Sequence, residues 1–257
     1  MSTLVLALRQ VQYENIAFRR NPAAAFFTLV FPLMFLVIFN LVFGNNQLDV
    51  PGGTTTTSTF FVPAIAAFSV INACYTNMAM GVSIARDQGL LKRIRGTPLP
   101  AWGFMFGRIA HAVLVSFALV AVVTAAGALF YDVDTPTNTL PAFLITLAIG
   151  AAAFCSLALA VTALIPNADA SPAIVNASIL PLLFISGVFI PMGDAPAWLN
   201  TFADVFPVKH FASALLTAFN PFETGAGFEP VRLAVLAGWG AAGLVVAVRF
   251  FSWEPRR

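Results

Sequence analysis

Residues 24–44 read AAFFTLVFPLMFLVIFNLVFG and contain no charged side chain. A helix needs about 20 mostly apolar residues to cross the hydrocarbon core of a bilayer, and this stretch has both the length and the composition. Other stretches of the chain share these properties. Charge-free intervals cover residues 21–48, 50–85, 109–131, 135–168, 170–193 and 233–248. The pattern predicts a membrane protein built mainly from apolar helices.

Composition indicates the same class and excludes others. In the 257-residue chain, hydrophobic residues make up 59% and charged residues 9%, whereas soluble domains carry about 25% charged residues. The apolar fraction is too high for a disordered chain. The two cysteines of the sequence, Cys74 and Cys155, are too few for a disulfide scaffold.

The charge-free intervals predict an all-α membrane protein with six transmembrane helices. The shortest interval reaches membrane length if Arg232 and Arg249 extend their charged ends to the two interfaces. The predicted spans are residues 24–44, 62–85, 105–130, 141–165, 172–191 and 231–251. We therefore expect residues 1–257 to form a single transmembrane domain.

The N-terminal segment 1–21 differs from the spans because charged residues are spread through it. Leu4, Leu8, Val11 and Phe18 recur near one face at helical spacing. An apolar stripe beside charges favours an interfacial helix that lies on the membrane surface. An ordinary cytosolic tail is the alternative.

The distribution of Lys and Arg predicts the orientation, because these residues favour the cytoplasmic side. With a cytoplasmic N-terminus, six spans return the C-terminus to the cytoplasm, and only Lys209 and Arg232 of the 13 basic residues lie outside. The inner basic residues are then Arg9, Arg19, Arg20, Arg86, Lys92, Arg93, Arg95, Arg108, Arg249, Arg256 and Arg257. We expect a multi-pass protein of a bacterial cytoplasmic membrane.

The inner segment 86–100, RDQGLLKRIRGTPLP, is unlike a plain loop. Glycines flank a short predicted helix. Leu90, Leu91 and Ile94 form an apolar edge beside basic residues. A basic helix with exposed apolar residues lies on anionic lipid or docks into another protein, and the apolar edge favours docking.

Segment 192–223, on the outer side, is too apolar for a solvated loop, and Pro196 and Pro207 interrupt it too often for a full span. Apolar segments of about 10–14 residues are often re-entrant or interfacial, and irregular backbone at that depth must be covered by protein. We expect two short helices that form an outer re-entrant hairpin between spans five and six.

Aromatic and polar side chains inside the spans are candidate path residues. Phe31 and Phe35 belong to a four-residue repeat on span one, which is either an aromatic wall for an apolar substrate or a packing or lipid-facing surface. Span two concentrates polar residues, namely Asn72, Tyr75, Thr76 and Asn77. Interhelical hydrogen bonds would also explain most of these polar residues.

These elements, in this order, resemble the ABC-2 type permeases, the membrane subunits of ATP-binding-cassette exporters, over essentially the whole chain. The residues that carry the resemblance are Arg20-Asn21-Pro22 with Phe31-Pro32, Asp87-x-Gly89-Leu90-Leu91-Lys92-Arg93 with Thr97-Pro98-Leu99, Ser186-Gly187-Val188-Phe189-Ile190-Pro191 with Pro196-x-Trp198-Leu199, and Phe206-Pro207. The nearest likeness is to the daunorubicin/doxorubicin-resistance permeases of actinobacteria. Asp87 departs from the family pattern, which often has Glu at this position.

The resemblance implies an exporter subunit for a lipophilic, drug-like compound, driven by ATP that a separate subunit hydrolyses. The implied partners are two ABC ATPase subunits, a second permease chain (identical or homologous), membrane lipid and the lipophilic substrate, with no nucleic acid. The chain itself would bind no cofactor or metal, and ATP and Mg would bind to the ATPase partner.

The resemblance also implies roles for particular residues. The ATPase-coupling residues would be Arg86, Asp87, Gly89, Leu90, Leu91, Lys92, Arg93, Thr97, Pro98 and Leu99. The extracellular gate would consist of Phe189, Pro191, Trp198 and Phe206. The candidate substrate path remains Phe31, Phe35, Asn72, Tyr75, Thr76 and Asn77.

Other classes of function fit the sequence less well. Neither Lys92 nor Lys209 follows a glycine, so the sequence lacks the P-loop of an ATPase, and the chain is not expected to be an enzyme. His111 and His210, on opposite sides of the predicted membrane, do not form a catalytic cluster. An ion-coupled secondary transporter would carry acidic residues inside its spans, and none lies deep in the predicted ones. A lipid or glycolipid precursor of the cell envelope is the alternative cargo.

Overall fold

Long apolar helices make up most of the chain in the computed structural model, which describes residues 3–43, 46–97, 99, 101–192 and 195–253. The helices are α1 (Thr3–Arg19), α2 (Pro22–Phe43), α3 (Thr57–Ile71), α4 (Asn77–Asp87), α5 (Leu90–Arg95), α6 (Ala101–Phe130), α7 (Leu140–Val161), α8 (Ser171–Phe184), α9 (Ala197–Ala203), α10 (Pro207–Ala218) and α11 (Pro230–Phe250). A π-helical segment, Asn72–Thr76, joins α3 to α4, so Thr57–Asp87 is continuous helix.

Among the described residues, five helices are long and apolar enough to cross a membrane. They are Ala25–Phe43, Thr57–Asp87, Trp102–Phe130, Leu140–Val161 and Pro230–Phe250. They confirm the predicted helices at spans one, two, three, four and six. The protein is therefore a multi-pass helical membrane protein.

The predicted fifth span, residues 172–191, is shorter than expected. Its helix, α8, has 14 residues and ends at Phe184, whereas about 20 residues are needed to cross the hydrocarbon core. Gly187 follows with φ 77°, a left-handed conformation that glycine adopts readily and that ends a helix. The chain continues as turns to Ile190.

The second span lies at the centre of the molecule. In its most apolar window 89% of the residues are buried, against 22% for α2 and 17% for α11. It packs against α2, α6, α7 and α10. A helix surrounded on all sides needs no polar face, which explains its almost uniformly apolar sequence between Phe60 and Ile71.

The predicted N-terminal helix is present as α1, and it packs along α6. Gly107 of α6 permits the close approach, because a Cβ atom at this position would lie 2.3 Å from Cγ of Gln10. Ala7 is fully buried, whereas Val5, Leu8 and Ile16 are exposed. The helix thus has one face on the protein and leaves apolar side chains exposed.

The remaining short elements include a β-hairpin and the two helices of the predicted outer segment. An antiparallel hairpin, β1 (Gln47–Val50) and β2 (Gly53–Thr56), connects α2 to α3. The two short helices expected within 192–223 are present as α9 and α10. Helix α10 is covered by protein, since it packs against α3, α7 and α11.

Candidate functional site

The first candidate feature is an aromatic cluster between α2 and α3. Phe31 and Phe35 of α2 have ring centroids 4.8 Å apart, and they lie 6.1 and 5.9 Å from the ring of Phe68 on α3. Residues four apart share a helix face, which is why the repeat on α2 forms one wall. Phe68 was not predicted from the sequence, although it lies about two turns after Phe61 on the same helix. The ring of Phe61 in turn stacks on that of Phe39 of α2, with ring centroids 4.9 Å apart.

Phe189, one of the predicted gate residues, completes this cluster. After the left-handed Gly187, the turn directs the buried Phe189 side chain inward. Its ring centroid lies 5.9 Å from that of Phe35 and 5.5 Å from that of Phe68. The structure therefore brings together two predicted path residues and one predicted gate residue that are far apart in sequence.

The other three predicted gate residues lie elsewhere. Trp198 on α9 is 70% exposed. Phe206 stacks on Trp239 of α11, with ring centroids 6.3 Å apart. Pro191 lines a pocket beside the β1–β2 hairpin. The structure does not bring the four residues into one gate, because the short helices of this segment carry their aromatic rings to different neighbours.

A second candidate feature is an apolar cavity of about 550 Å³ lined by the π-helical segment, α7, α8, α11 and the start of α10. Tyr75 and Ser178 supply its hydroxyl groups, which are hydrogen-bonded to each other at 2.7 Å. Phe206 and Trp239 form part of its wall. A predicted path residue and a predicted gate residue therefore meet here, apart from the aromatic cluster.

The polar residues of span two do not share one surface. Tyr75 faces α8, whereas the amide of Asn77 donates to the hydroxyl of Thr28 on α2 at 3.3 Å. Two residues apart on a helix means roughly 200° of rotation, so the two side chains must point to opposite sides. Asn72 is half-buried, as is Thr76. The structure therefore distributes these candidate path residues over different sides of span two.

The third feature is α5, the short helix within the predicted coupling segment. It begins after Gly89, which has φ 70°, and its end is fixed by Thr97, whose hydroxyl donates to the carbonyl of Ile94 at 2.7 Å and accepts from the amide of Leu99 at 3.3 Å. Lys92 and Arg93 are exposed. Pro98 lies outside the described residues.

The apolar edge of α5 is smaller than the sequence predicts. Leu90 is 44% exposed, but Leu91 is fully buried in the core. Ile94 and Leu99 pack against the same core. Only one of the three expected apolar contacts is therefore available at the surface, since the helix needs the other two to attach itself to the protein.

Arg86 is the largest departure from the predicted coupling surface. Its side chain is 1% exposed, and the guanidinium donates to the carbonyls of Thr162 and Ile165, just after α7. The next residue, Asp87, accepts the backbone N–H of Ala168 at 3.0 Å. Carbonyls at a helix C-terminus are short of donors, and cations are favoured there. Arg86 and Asp87 thus connect α4 to the α7–α8 loop.

Five helices among the described residues that are long enough to cross a membrane, and an exposed basic helix at the end of the central span, define a helical membrane protein. The chain belongs to the ABC-2 type transporter family, whose sequence profile matches residues 5–220.

Curated relatives are similar at low identity. The probable multidrug ABC transporter permease YbhR of Escherichia coli K12 is 24% identical over 152 residues, which is 59% of this chain and 41% of the relative. The daunorubicin resistance ABC transporter permease protein DrrB1 of Streptomyces coeruleorubidus is 25% identical over 233 residues, covering 89% of this chain and 78% of the relative. The match thus spans about two fifths of the Escherichia coli relative's length and most of the Streptomyces relative's.

Proposed function

We propose that this chain is the permease subunit of an ABC exporter that moves a lipophilic, drug-like compound out across the cytoplasmic membrane. The observation that carries the proposal is the apolar cavity of about 550 Å³ between α7, α8 and α11. Sites for drug-sized ligands occupy about 300–1,000 Å³ and are mostly apolar, with a few placed polar groups. The hydroxyl pair of Tyr75 and Ser178 supplies such groups.

The similarity to a daunorubicin resistance permease supports the same cargo class. In this proposal the aromatic cluster is the closed outer part of the path. The Phe189 ring packs between Phe35 and Phe68, so a lipophilic molecule would leave when the turn at Gly187 swings this ring aside. Aromatic walls can let an apolar molecule pass without offering it a strong polar site.

ATP hydrolysis would take place on a separate pair of ABC ATPase subunits, with ATP and Mg bound there. The exposed Leu90, Lys92 and Arg93 of α5 would dock into the ATPase. Nucleotide can shift the permease between access states only if it binds one of them better. A second permease chain, identical or homologous, would complete the transporter.

The structure suggests how a movement of α5 would reach the gate. Helix α5 follows α4 after a two-residue turn, and Arg86 and Asp87 of α4 hold the α7–α8 loop. Helix α8 continues from that loop and ends just before Gly187 and Phe189. A displacement of α5 would therefore move the N-terminal end of α8 and, through α8, the ring of Phe189.

We further propose the full six-span arrangement, with both termini in the cytoplasm. Helix α8 would form the fifth crossing together with the turns to Ile190. Helices α9 and α10 would then form the outer re-entrant hairpin. This topology places the basic face of α5 on the side where ATP is available.

The test is transport by the complete complex. The tagged full chain is expressed with its ATPase subunit, and ATP-dependent uptake of daunorubicin is measured in inside-out membrane vesicles. Ala160 lines the cavity, whereas Ala152 is exposed on the same helix. We expect Ala160→Phe to lower the initial rate at least fivefold and Ala152→Phe to leave it unchanged.

The same vesicles report on the gate. Phe189→Ala should raise the ATP-independent leak of preloaded daunorubicin, while Phe143→Ala, which removes a buried ring outside the cluster, should not. Equal initial rates of daunorubicin uptake for Ala160→Phe and wild type, with an intact ATPase complex, would mean that the cargo binds in another part of the molecule. Transport of a fluorescent lipid in place of daunorubicin would favour the lipid exporter.

A further inference from the structure

A cleft with one polar and one apolar end lies among α1, α2, α4 and α6, beside the contact between α1 and α6. Its polar part, about 360 Å³, is lined by Glu14, Asn77 and Arg108 among others. Its apolar part, about 570 Å³, runs between α1, α2 and α6. Phe18, His111 and Val115 line both parts, so the two are adjacent, and the ring centroids of Phe18 and His111 lie 5.6 Å apart between them.

Arg108 leaves a hydrogen-bond donor free in the polar part. Its Nε atom lies 3.4 Å from the carboxylate of Glu14, and its guanidinium carbon lies 5.5 Å from the ring centroid of Phe104. The Nη1 atom is buried and has no hydrogen-bond partner among the described residues. Buried donors are normally paired because an unpaired one is costly, so Arg108 keeps a donor that an acceptor oxygen of a ligand would satisfy once the guanidinium turns towards the cleft.

The charges around the cleft favour an anionic ligand. Arg108 and Arg19 line it with one carboxylate, that of Glu14, and with the imidazole of His111. Two guanidinium groups against one carboxylate leave a net positive charge. A guanidinium suits a phosphate well because its donors match the geometry of the oxygens.

The apolar part has the shape and position for an acyl chain. Leu29 and Leu114, which line it, are exposed in the structure, so this end opens at the surface of the spans, where lipid surrounds the protein. The small side chains of Ala25 and Ala118 leave space in this part for the acyl chain. An amphiphile could thus lie with its head at Arg108 and its tail towards the bilayer.

We propose that this cleft binds an anionic phospholipid, with its phosphate at Arg108 and one acyl chain along Leu29 and Leu114. Basic pockets between transmembrane helices commonly receive anionic head groups. The bound lipid fills the gap between α1 and α2 and holds the surface helix against the spans. This site is separate from the Tyr75–Ser178 cavity and does not depend on the cargo.

Native mass spectrometry of the purified, delipidated full chain tests the site. Palmitoyl-oleoyl phosphatidylglycerol and the phosphatidylcholine with the same chains are titrated separately, and we expect the former to bind at least fivefold more tightly. Arg108→Gln removes the phosphate ligand, and Ala118→Trp fills the tail groove from an exposed position. Each should weaken phosphatidylglycerol binding about tenfold.

Arg232→Gln is the matched control, because it also removes an arginine that pairs with a glutamate, Glu229 at 3.5 Å, but on α11. It should leave lipid binding unchanged. Equal binding of the two lipids, or binding that neither Arg108→Gln nor Ala118→Trp weakens, would overturn the proposal. Displacement of phosphatidylglycerol by daunorubicin, with the same sensitivity to both variants, would assign the cleft to cargo and also overturn it.

Discussion

At the scale of single residues, burial reverses the role that sequence suggests for Arg86. An arginine at the end of an apolar span usually extends its charge to the interface, and the neighbouring basic residues strengthen that expectation. In the structure Arg86 turns inward to two carbonyls after α7. A guanidinium with two carbonyl acceptors is a structural connection, and its position explains why α4 and the α7–α8 loop are held together.

We predict that Arg86→Gln lowers the free energy of unfolding by about 3 kcal/mol, since two buried hydrogen bonds to a charged group are lost. Thermal unfolding of the detergent-purified chain, followed by circular dichroism, measures the change. Arg93→Ala is the control, because this exposed residue should change stability by less than about 0.5 kcal/mol. Equal unfolding midpoints for Arg86→Gln and wild type would contradict the structural role.

At the scale of elements, the short helix α5 shows why a pattern of leucines does not by itself define a docking face. Leu90 and Leu91 are adjacent in sequence and therefore roughly 100° apart on the helix. One faces outward and the other is buried in the core. Of this pair, Leu91 contributes to the core, and only Leu90 is available to a partner at the surface.

We predict that Leu90→Asp weakens co-purification of the ATPase subunit at least fivefold and leaves the unfolding midpoint unchanged. Leu91→Asp should instead lower the stability of the chain by about 3 kcal/mol or more, because it places a charge in the core. Pull-down of the ATPase together with thermal unfolding separates the two effects. An unchanged ATPase association in Leu90→Asp would exclude α5 as the docking element.

Packing between α7 and α10 depends on a close approach at Gly150. A Cβ atom at this position would lie 2.2 Å from Cε2 of Phe211. Phe211 is fully buried and packs edge-on against Phe154, with ring centroids 5.4 Å apart. The ring of Phe211 therefore has no free space into which it could move away from a Cβ atom at position 150. Small residues allow such contacts between membrane helices.

We therefore predict that Gly150→Ala destabilises the protein by about 1–3 kcal/mol, although alanine is the better helix former. In a Phe211→Leu background the same change should cost much less, and a double-mutant cycle measures the coupling. Gly238→Ala on α11 is the control, since a Cβ atom there meets nothing within 4 Å. Additive effects of the two changes would contradict the clash.

At the scale of the whole molecule, the chain is a membrane domain with large apolar surfaces on its outer helices. Only 22% of the apolar window of α2 and 17% of that of α11 are buried within the chain. The remaining surface of these two helices is apolar and exposed in the single chain.

We predict that the purified chain hydrolyses no ATP above background and that adding its ATPase subunit restores turnover. The physical reason is the missing P-loop, because neither lysine follows a glycine. Release of phosphate by the chain alone and by the assembled complex is the measurement. Turnover by a preparation of the lone chain, shown to be free of other ATPases, would contradict the assignment as a permease.

Local hydropathy, charge and helix breakers in the sequence are enough to predict the membrane class, five of the spans, the N-terminal helix and the short α5. The C-terminal end of α8 could not be predicted in this way, because the apolar sequence continues past the turn at Gly187. The resemblance to ABC-2 permeases was also readable from local motifs. It is confirmed by the match to the family over residues 5–220.

The tertiary structure alone decided which side chains meet. Phe35, Phe68 and Phe189 come from three separate parts of the chain, and hydropathy carries no signal for such contacts when every side of a helix is apolar. The inward turn of Arg86 likewise depends on the carbonyls of Thr162 and Ile165, which lie 76 and 79 residues further along the chain. Contacts over such distances are set by packing of the whole molecule, and a local pattern cannot predict them.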